Sequence, residues 1–215
     1  MRKQEKKRWS FIYTVKEHVE NNKKSYIIAS VIFIIGVVIG VIFINQIEEE
    51  TQNQIGSYIN TFVECLNSDY EINKQELLRS SIISNMIFVF LIWFIGSTVI
   101  GIPIVYLLIA IKGFSLSYTI SSILITFGTG KGILFSLASL LFQNIIIIPC
   151  ILALAVSGMK LYKSIMKDKN RENIKVEIIR HTIFSLFISV FYIMSSFVEV
   201  YVSSNLITLC VSYIA

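Results

Sequence analysis

The stretch from Ile82 to Gly158 carries only two charged side chains, Lys112 and Lys131. An ordinary soluble domain has roughly 25% charged residues, whereas the whole of this chain has 15% and is 54% hydrophobic. Such a long uncharged stretch fits the interior of a lipid bilayer better than a soluble core. Because its apolar residues form continuous blocks and do not alternate, the pattern predicts an all-α, polytopic membrane helical bundle and not a barrel.

The charges lie at the ends of the apolar blocks and predict an orientation. Residues 1–24 carry eight Lys/Arg and three Glu, and residues 159–181 carry seven Lys/Arg and three acidic residues. Residues 46–81, in contrast, have seven acidic residues and two basic ones. By the positive-inside rule the two basic segments are cytoplasmic and residues 46–81 are extracytoplasmic. The positive charges behind the net charge of +5 therefore lie mainly in cytoplasmic flanks, where they can contact anionic lipid headgroups. Nucleic acid is not expected as a partner.

We expect residues 1–215 to form a single membrane domain with about five transmembrane helices, the N-terminus cytoplasmic and the C-terminus outside. The second block is longer than one crossing needs, and Gly101-Ile102-Pro103 disfavours helix inside it. It is interpreted as one tilted, kinked span, with a span plus a short interfacial turn as the alternative. Gly128 to Gly132 is predicted to be an outside turn. The predicted spans are Tyr26–Ile44, Ile82–Ile111, Phe114–Phe127, Ile133–Gly158 and Thr182–Val202.

Residues 46–81 are predicted to form an extracytoplasmic helical loop. Its apolar residues recur at the spacing of one helix face, and the candidate partner-binding positions are Ile55, Tyr58, Ile59 and Phe62, followed by Val63 and Leu66. This face either rests on the membrane and the bundle or docks an extracytoplasmic partner. Asn73, with Glu76 three residues later, is predicted to cap the next helix.

The basic segment of residues 1–24 also has apolar residues at helical spacing, namely Phe11, Ile12, Val15 and Val19. Two interpretations stay open: an amphipathic helix on the membrane surface, or a helical lead-in to the first span.

Small residues and prolines predict how the helices pack. Gly36-x-x-x-Gly40 places two glycines on one face of the first span and permits close backbone approach. This approach is either intramolecular or part of a homodimer, so a homo-oligomer stays possible. The other residues assigned to packing or helix shape are Trp93, Gly96, Gly101, Pro103, Gly113 and Pro149.

Among the polar residues within the apolar blocks, the candidates for a function are Gln143, Asn144 and Glu199. Amides in lipid find hydrogen-bond partners on other helices, and intramembrane ionisable groups also occur on transport paths. Glu199 is expected near the outer interface, protonated, or paired with a cation. Lys131 is the preferred partner because it is predicted on the same side, and Lys112 is the alternative.

The sequence does not predict an enzyme, a cofactor or a metal site. Both histidines, His18 and His181, fall in the basic flanks, away from every polar residue of the spans, and no His-Glu-x-x-His motif is present. No base is positioned by the sequence to activate any of the serines. The three cysteines, at 65, 150 and 210, are too few and too scattered for a disulfide framework.

The order of several short motifs closely resembles the stage II sporulation protein M family over nearly the whole chain. The family pattern often has proline where this chain has Phe142 and Ser204, and these differences concern local helix bends. The motifs are Leu91-Ile92-Trp93, Gly96, Gly101-x-Pro103, Lys112-Gly113, Gly130-Lys131-Gly132, Gln143-Asn144, Pro149 and Glu199-x-Tyr201-Val202-Ser203.

The resemblance implies a non-enzymatic integral membrane scaffold of the engulfment machinery of endospore-forming bacteria. Its implied partners, besides the lipid bilayer, are stage II sporulation proteins D and P, which degrade peptidoglycan. Its implied location is the cell membrane, as a multi-pass protein, at the septal and engulfing mother-cell membrane. The alternative function, suggested by the Gly-Pro break and the polar residues in the spans, is a transporter or permease-like protein for a small solute.

Overall fold

The structure is a computed structural model that describes residue 16 and residues 19–67, 73–98, 101–167 and 171–214. These residues are helical almost throughout and contain no strand. The predicted amphipathic lead-in at Phe11, Ile12 and Val15 lies outside them. The elements are α1 (Lys23–Gln46), α2 (Glu49–Asn67), α3 (Lys74–Gly96), α4 (Gly101–Ser136), a π-helical segment (Leu137–Leu141), α5 (Phe142–Lys167), α6 (Arg171–Val198), a second π-helical segment (Glu199–Ser203) and α7 (Ser204–Ile214).

Four helical ranges are long and apolar enough to cross a membrane: Lys23–Gln46, Lys74–Gly96, Gly101–Met166 and Ile174–Val211. Their outward faces carry large apolar side chains that are half or more exposed, as expected where lipid replaces water. Examples are Ile34, Phe94, Leu107, Ile183 and Leu186. The predicted all-helical, membrane-spanning class is therefore confirmed.

The core of the bundle lies where α3, α4, α5 and α6 meet. Its fully buried members include Ile92 of α3, Ile109 of α4, Ile151 and Leu154 of α5, and Tyr192 of α6. α6 packs chiefly on α5 and α3.

α1 packs along α4 through glycines on both helices. A Cβ atom added at Gly36 would lie 2.1 Å from the carbonyl oxygen of Ala110, and one added at Gly113 would lie 2.4 Å from that of Phe33. A Cβ at Gly40 would lie 2.6 Å from the carbonyl oxygen of Phe114. The glycine face of α1 is thus covered by α4 of the same chain, and the two backbones are nearly in contact.

The prediction of a single kinked span from Ile82 to Ile111 is wrong. α3 ends at Gly96 and α4 begins at Gly101, so the Gly101-x-Pro103 motif starts a new helix. The first four N–H groups of any helix have no intrahelical acceptor, and proline in the first turn therefore breaks no hydrogen bond. The break between spans that was predicted at Lys112-Gly113 does not occur, because α4 continues through these two residues without interruption.

The connection between α3 and α4 is tight. Ser97 closes α3 by donating hydrogen bonds from its backbone N–H and its hydroxyl to the carbonyl oxygen of Trp93. A Cβ atom at Gly101 would lie only 1.6 Å from the carbonyl oxygen of Ile95. Glycine is needed here because the start of α4 passes directly over the end of α3.

The chain reverses direction at Gly128, whose backbone (φ 74°, ψ 168°) leaves the helical region inside α4. A Cβ atom at Gly132 would lie 2.9 Å from the Cα atom of Leu124, although residues eight apart in an unbroken helix are about 12 Å apart. The rings of Phe127 and Phe135 also pack across the turn, with centroids 5.5 Å apart and the ring planes tilted by 56°. Residues 129–132 are helical, so the turn is shorter than predicted.

α2 covers the end of the bundle where this turn lies. The side-chain amide of Gln52 donates to the carbonyl oxygen of Ile44 at 3.0 Å and occupies a free carbonyl at the end of α1. Val63 is buried against Ile123 of α4 and Val211 of α7.

The predicted N-cap of α3 is confirmed. The side-chain oxygen of Asn73 accepts a hydrogen bond of 3.2 Å from the backbone N–H of Glu76.

We predict that Gly36→Ala destabilises the protein, because a new methyl group would push α1 away from the carbonyl of Ala110. Overpacking of this kind costs about 1–3 kcal/mol. The matched control is Gly130→Ala, since a Cβ atom there meets no atom within 4 Å. Unfolding free energies in mixed detergent micelles test the prediction, and equal values for the two variants would contradict it.

Candidate functional site

A polar cluster joins three parts of the bundle around Glu199. The Oε2 atom of Glu199 accepts a hydrogen bond of 2.5 Å from the hydroxyl of Ser81 and one of 2.6 Å from the side-chain amide of Gln143. Ser81 belongs to α3, Gln143 to α5, and Glu199 begins the second π-helical segment. One carboxylate oxygen therefore connects elements that are more than fifty residues apart in sequence.

One turn further along α3, a second polar pair continues the cluster. The side-chain amide of Asn85 donates a 2.8 Å hydrogen bond to the hydroxyl of Ser196, which in turn donates to the carbonyl oxygen of Tyr192. Asn85 and Ser196 are both buried. Hydrogen bonds between membrane helices contribute about 0.6 kcal/mol on average and at most about 2 kcal/mol, so these contacts hold α3 against α6 with moderate strength.

Lys112 supplies a positive charge near this cluster. It lies within Coulombic range of Glu199, and its ammonium is 5.8 Å from the centroid of the Phe88 ring. A cation over an aromatic face is stabilised by the ring quadrupole. Glu199 thus has two neutral hydrogen-bond donors, Ser81 and Gln143, and at longer range the positive charge of Lys112. The preferred pairing of Glu199 with Lys131 stays a prediction.

The two π-helical segments, Leu137–Leu141 and Glu199–Ser203, contact each other beside the cluster. Each π turn accommodates one extra residue and shifts the side chains that follow it, and such turns are frequent at functional sites. Glu199 opens the second segment, and Gln143 follows the first by two residues. Sequence analysis missed both segments, because neither contains a residue type that distinguishes a π turn from an α-helix.

The two neighbouring amides, both predicted to be intramembrane polar residues, have different roles. Gln143 bonds to another helical segment, whereas Asn144 donates a 2.8 Å hydrogen bond to the carbonyl oxygen of Leu140 in its own chain segment. Asn144 therefore satisfies a carbonyl of the π-helical segment. Pro149 lies inside α5, five residues further on.

A second contact region lies at the opposite end of α6 and includes His181. The hydroxyl of Ser157 and the Nδ1 atom of His181 are 2.9 Å apart, and the ring is only 2% exposed. The expectation that His181 lies in a flank far from polar groups of the spans is wrong, because α6 begins at Arg171 and carries His181 into the bundle. The imidazole sits beside the backbones of Gly96 and Gly158, where an added Cβ atom would lie 3.6–3.7 Å from the ring.

The residues around His181 join α3, α5 and α6. The indole N–H of Trp93 donates a 3.2 Å hydrogen bond to the hydroxyl of Thr182, and Gly96 packs against Gly158. The Ser157–His181 pair thus occurs where three helices approach closely. Among the described residues no group of three His, Cys, Asp or Glu side chains could hold a metal ion.

The candidate partner-binding residues of α2 divide between two faces. Ile59, Val63 and Leu66 pack toward the bundle, and Ile55 is partly buried. Tyr58, in contrast, is 78% exposed and Phe62 is 47% exposed. The helical spacing in the sequence predicted that all of these residues form one apolar stripe. The structure assigns half of it to packing and leaves an exposed aromatic face, Tyr58 and Phe62.

We predict that Glu199→Gln destabilises the bundle by about 1–3 kcal/mol, since it removes the charge that accepts from Ser81 and Gln143 and lies near Lys112. In a double-mutant cycle, Lys112→Met and Glu199→Gln should be coupled by about 0.5–3 kcal/mol. Unfolding free energies in mixed micelles measure both effects.

The control for this cycle is Glu64→Gln, which removes an exposed carboxylate of α2 and should be nearly neutral. Strictly additive effects of the Lys112 and Glu199 substitutions would show that the two charges do not interact.

Comparison with known proteins agrees with the motifs and the helical architecture. No curated protein and no solved structure matches the chain. A family model described as "Stage II sporulation protein M" matches residues 29–204, which run from within α1 past the end of α6 and include the Glu199 cluster and the Ser157–His181 pair. The chain belongs to the stage II sporulation protein M family.

Proposed function

We propose that this protein is a non-catalytic membrane scaffold of the sporulation engulfment machinery, and that it recruits partners through α2. The observation that carries this proposal is the division of α2 into two apolar faces. One face is fastened to the bundle through Val63 and its neighbours, and the other exposes Tyr58 and Phe62. Exposed aromatic residues on a rigid helix are well suited to anchor a protein interface.

The proposed topology has five crossings, with the N-terminus in the cytoplasm and the C-terminus outside. The reversal at Gly128 supports it, because it divides the long apolar range Gly101–Met166 into two antiparallel helical arms. The charge distribution supports the orientation, since residues 1–24 and 159–181 are basic and residues 46–81 are acidic. In this topology α2, the Gly128 turn and α7 all lie on the extracytoplasmic side.

The partners in this proposal are the peptidoglycan-degrading stage II sporulation proteins D and P, held at the septal and engulfing mother-cell membrane. Family membership supports this context. An outside α2 supports it physically, since enzymes that cut peptidoglycan must be held on the outer side of the membrane. The scaffold needs no cofactor, because presentation of a surface requires only a stable bundle. Self-association into homo-oligomers is compatible with this role.

The Glu199 cluster favours a second candidate function, transport of a small solute. Its carboxylate and the nearby Lys112 are the kind of intramembrane charges that line substrate paths. A path to the other side would have to pass Ile92, Ile151 and Leu154, which are 0% exposed and close the bundle with apolar side chains. We therefore rank the scaffold above the transporter.

We predict that replacing Tyr58 and Phe62 together with Ser lowers recovery of the two peptidoglycan-degrading partners by at least about tenfold, the equivalent of about 1.4 kcal/mol. Both side chains are exposed, so the loss should come from the interface and not from unfolding. The measurement is co-purification of both partners from membranes of sporulating cells, with unfolding free energy checked in parallel.

The matched control is Asn53→Ser with Asn60→Ser, which changes two exposed residues on the polar side of the same helix. Unchanged recovery with the Tyr58/Phe62 variant would remove α2 from the mechanism. A Tyr58→Trp variant, made in a background in which Trp9 and Trp93 are replaced by Phe, tests the competing placement of this face in lipid. Quenching by brominated lipid, and not by aqueous iodide, would argue against a protein partner.

We predict the five-crossing topology to appear in cysteine labelling of intact cells. A membrane-impermeant maleimide should label the exposed Cys65 of the unmodified protein from outside. In a Cys65→Ser background it should also label a Thr129→Cys variant from outside, while an Arg180→Cys variant reacts only after permeabilisation. All three positions are exposed in the fold. Protection of Thr129→Cys in intact cells would contradict an outside turn at Gly128.

A further inference from the structure

The exposed aromatic face of α2, formed by Tyr58 and Phe62, is surrounded by negative charge. Residues 46–67 carry four Glu and no Lys or Arg, and the three Glu within α2, at positions 49, 50 and 64, are all exposed. Over residues 46–81, seven acidic side chains against two basic ones leave an excess of five negative charges. Any partner that reaches the two rings therefore approaches through a negative field.

The three carboxylates of α2 form no ion pair within the described part of the chain, where the paired acids are Glu20 and Glu177. Carboxylates in the first turn of a helix are favoured by its dipole, which accounts for Glu49 and Glu50. Glu64, in contrast, lies in the last turn of α2, at the negative end of the same dipole. The helix itself gains nothing from the charge of Glu64.

Two depressions beside α2 have carboxylates in their walls. One of 650 Å³ is lined by Glu49 and Glu50 together with neutral amides and a hydroxyl. The other, of 570 Å³, lies between α2 and Thr126 of α4, and its one charged residue is Glu64. Neither depression has a Lys or Arg in its walls. Lys and Arg side chains, which donate hydrogen bonds and accept none, are the complementary occupants.

The sign of the charge favours a protein over a lipid surface as the partner of α2. Amphipathic helices that lie on membranes carry Lys and Arg on their polar face, because anionic headgroups attract basic residues. α2 has three Glu and neither Lys nor Arg, the opposite sign. A membrane surface with anionic lipid would repel it.

We propose that the partner surface that receives Tyr58 and Phe62 is basic, with Lys or Arg side chains around an apolar pocket. This inference rests on the proposed function and names the chemistry of the partner's side of that interface. Glu50 and Glu64 lie eight and six residues from Tyr58, rises of about 12 and 9 Å, comparable with the screening length of about 10 Å in 0.1 M salt.

The two sets of residues act on different steps of binding. Complementary charges act before contact and accelerate association, whereas contacts that exist only in the complex slow dissociation. The three carboxylates thus set the association rate and its dependence on salt. The two rings set the dissociation rate.

The test measures both rate constants by biolayer interferometry. The full-length protein is held in nanodiscs of phosphatidylcholine, which has no net charge, and purified stage II sporulation proteins D and P are the probes. Between about 0.01 M and 1 M salt the screening length falls from about 30 to 3 Å. We expect the association rate constant to fall by at least about tenfold over this range, with little change in the dissociation rate constant.

A variant with Glu49→Gln, Glu50→Gln and Glu64→Gln should associate about tenfold more slowly at low salt and lose most of the salt dependence, with dissociation unchanged. The matched control replaces the three Glu of residues 1–24, at positions 5, 17 and 20, with Gln. It neutralises the same number of charges on the opposite side of the proposed topology and should leave both rates unchanged. Tyr58→Ser with Phe62→Ser should speed dissociation and keep the salt dependence.

Each other outcome counts against the inference. Association that does not slow with salt, or slows equally in both glutamine variants, would overturn the basic partner surface while leaving the scaffold in place. Failure of both probes to bind the unmodified protein would overturn the scaffold and this inference together. Protection of Tyr58 from hydroxyl-radical footprinting in nanodiscs without a partner would place the aromatic face on lipid and would also overturn it.

Discussion

Helices in a bilayer cannot associate by the hydrophobic effect, because lipid tails are as apolar as their side chains, and they depend on close packing and interhelical hydrogen bonds. The contact between α1 and α4 relies on close packing. Gly36, Gly40 and Gly113 bring the two backbones so near that a single methyl group would overlap a carbonyl oxygen. Because α4 continues into the Gly128 turn, the position of that turn, and of α2 above it, depends on this contact.

α3, α5 and α6 are held differently, by polar layers at two levels. One layer contains Glu199 with Ser81 and Gln143, and the other contains His181 with Ser157. Glu199 and His181 are eighteen residues apart along one helical stretch, a rise of about 27 Å that nearly equals the hydrocarbon thickness of a bilayer. The two layers are therefore about one hydrocarbon thickness apart, the spacing at which each can lie near an interface, where a charged side chain is less costly than at the bilayer centre.

Sequence patterns predicted the features that depend on neighbours within one helix. The spans, the amphipathic α2 and the cap at Asn73 follow from spacing of three to four residues, which any helix converts into one face. The start of α4 was misjudged because Gly-x-Pro inside an apolar block is compatible with either a kink or a new helix. Spacing alone does not show where the preceding helix has ended.

The candidate site could be predicted only in part, for a related reason. Glu199 and Gln143 stood out as polar residues in apolar blocks, but their pairing depends on two π turns that shift the register of the helices. His181 was missed because its flank is rich in charges. Burial of that ring requires Gly96 and Gly158 to come together from two other helices, and such a contact leaves no periodic pattern in the sequence.

The support of α2 and an apolar groove on the side of the bundle come from the same two turns of helix. Ile123 and Phe135 pack with Val63 under α2, and the next residue after each, Leu124 and Ser136, lines the groove. Adjacent residues on a helix point about 100° apart, so one pair of turns contacts α2 on one side and lines the groove on another. The packing that holds α2 therefore depends on residues that are adjacent in sequence to the groove walls.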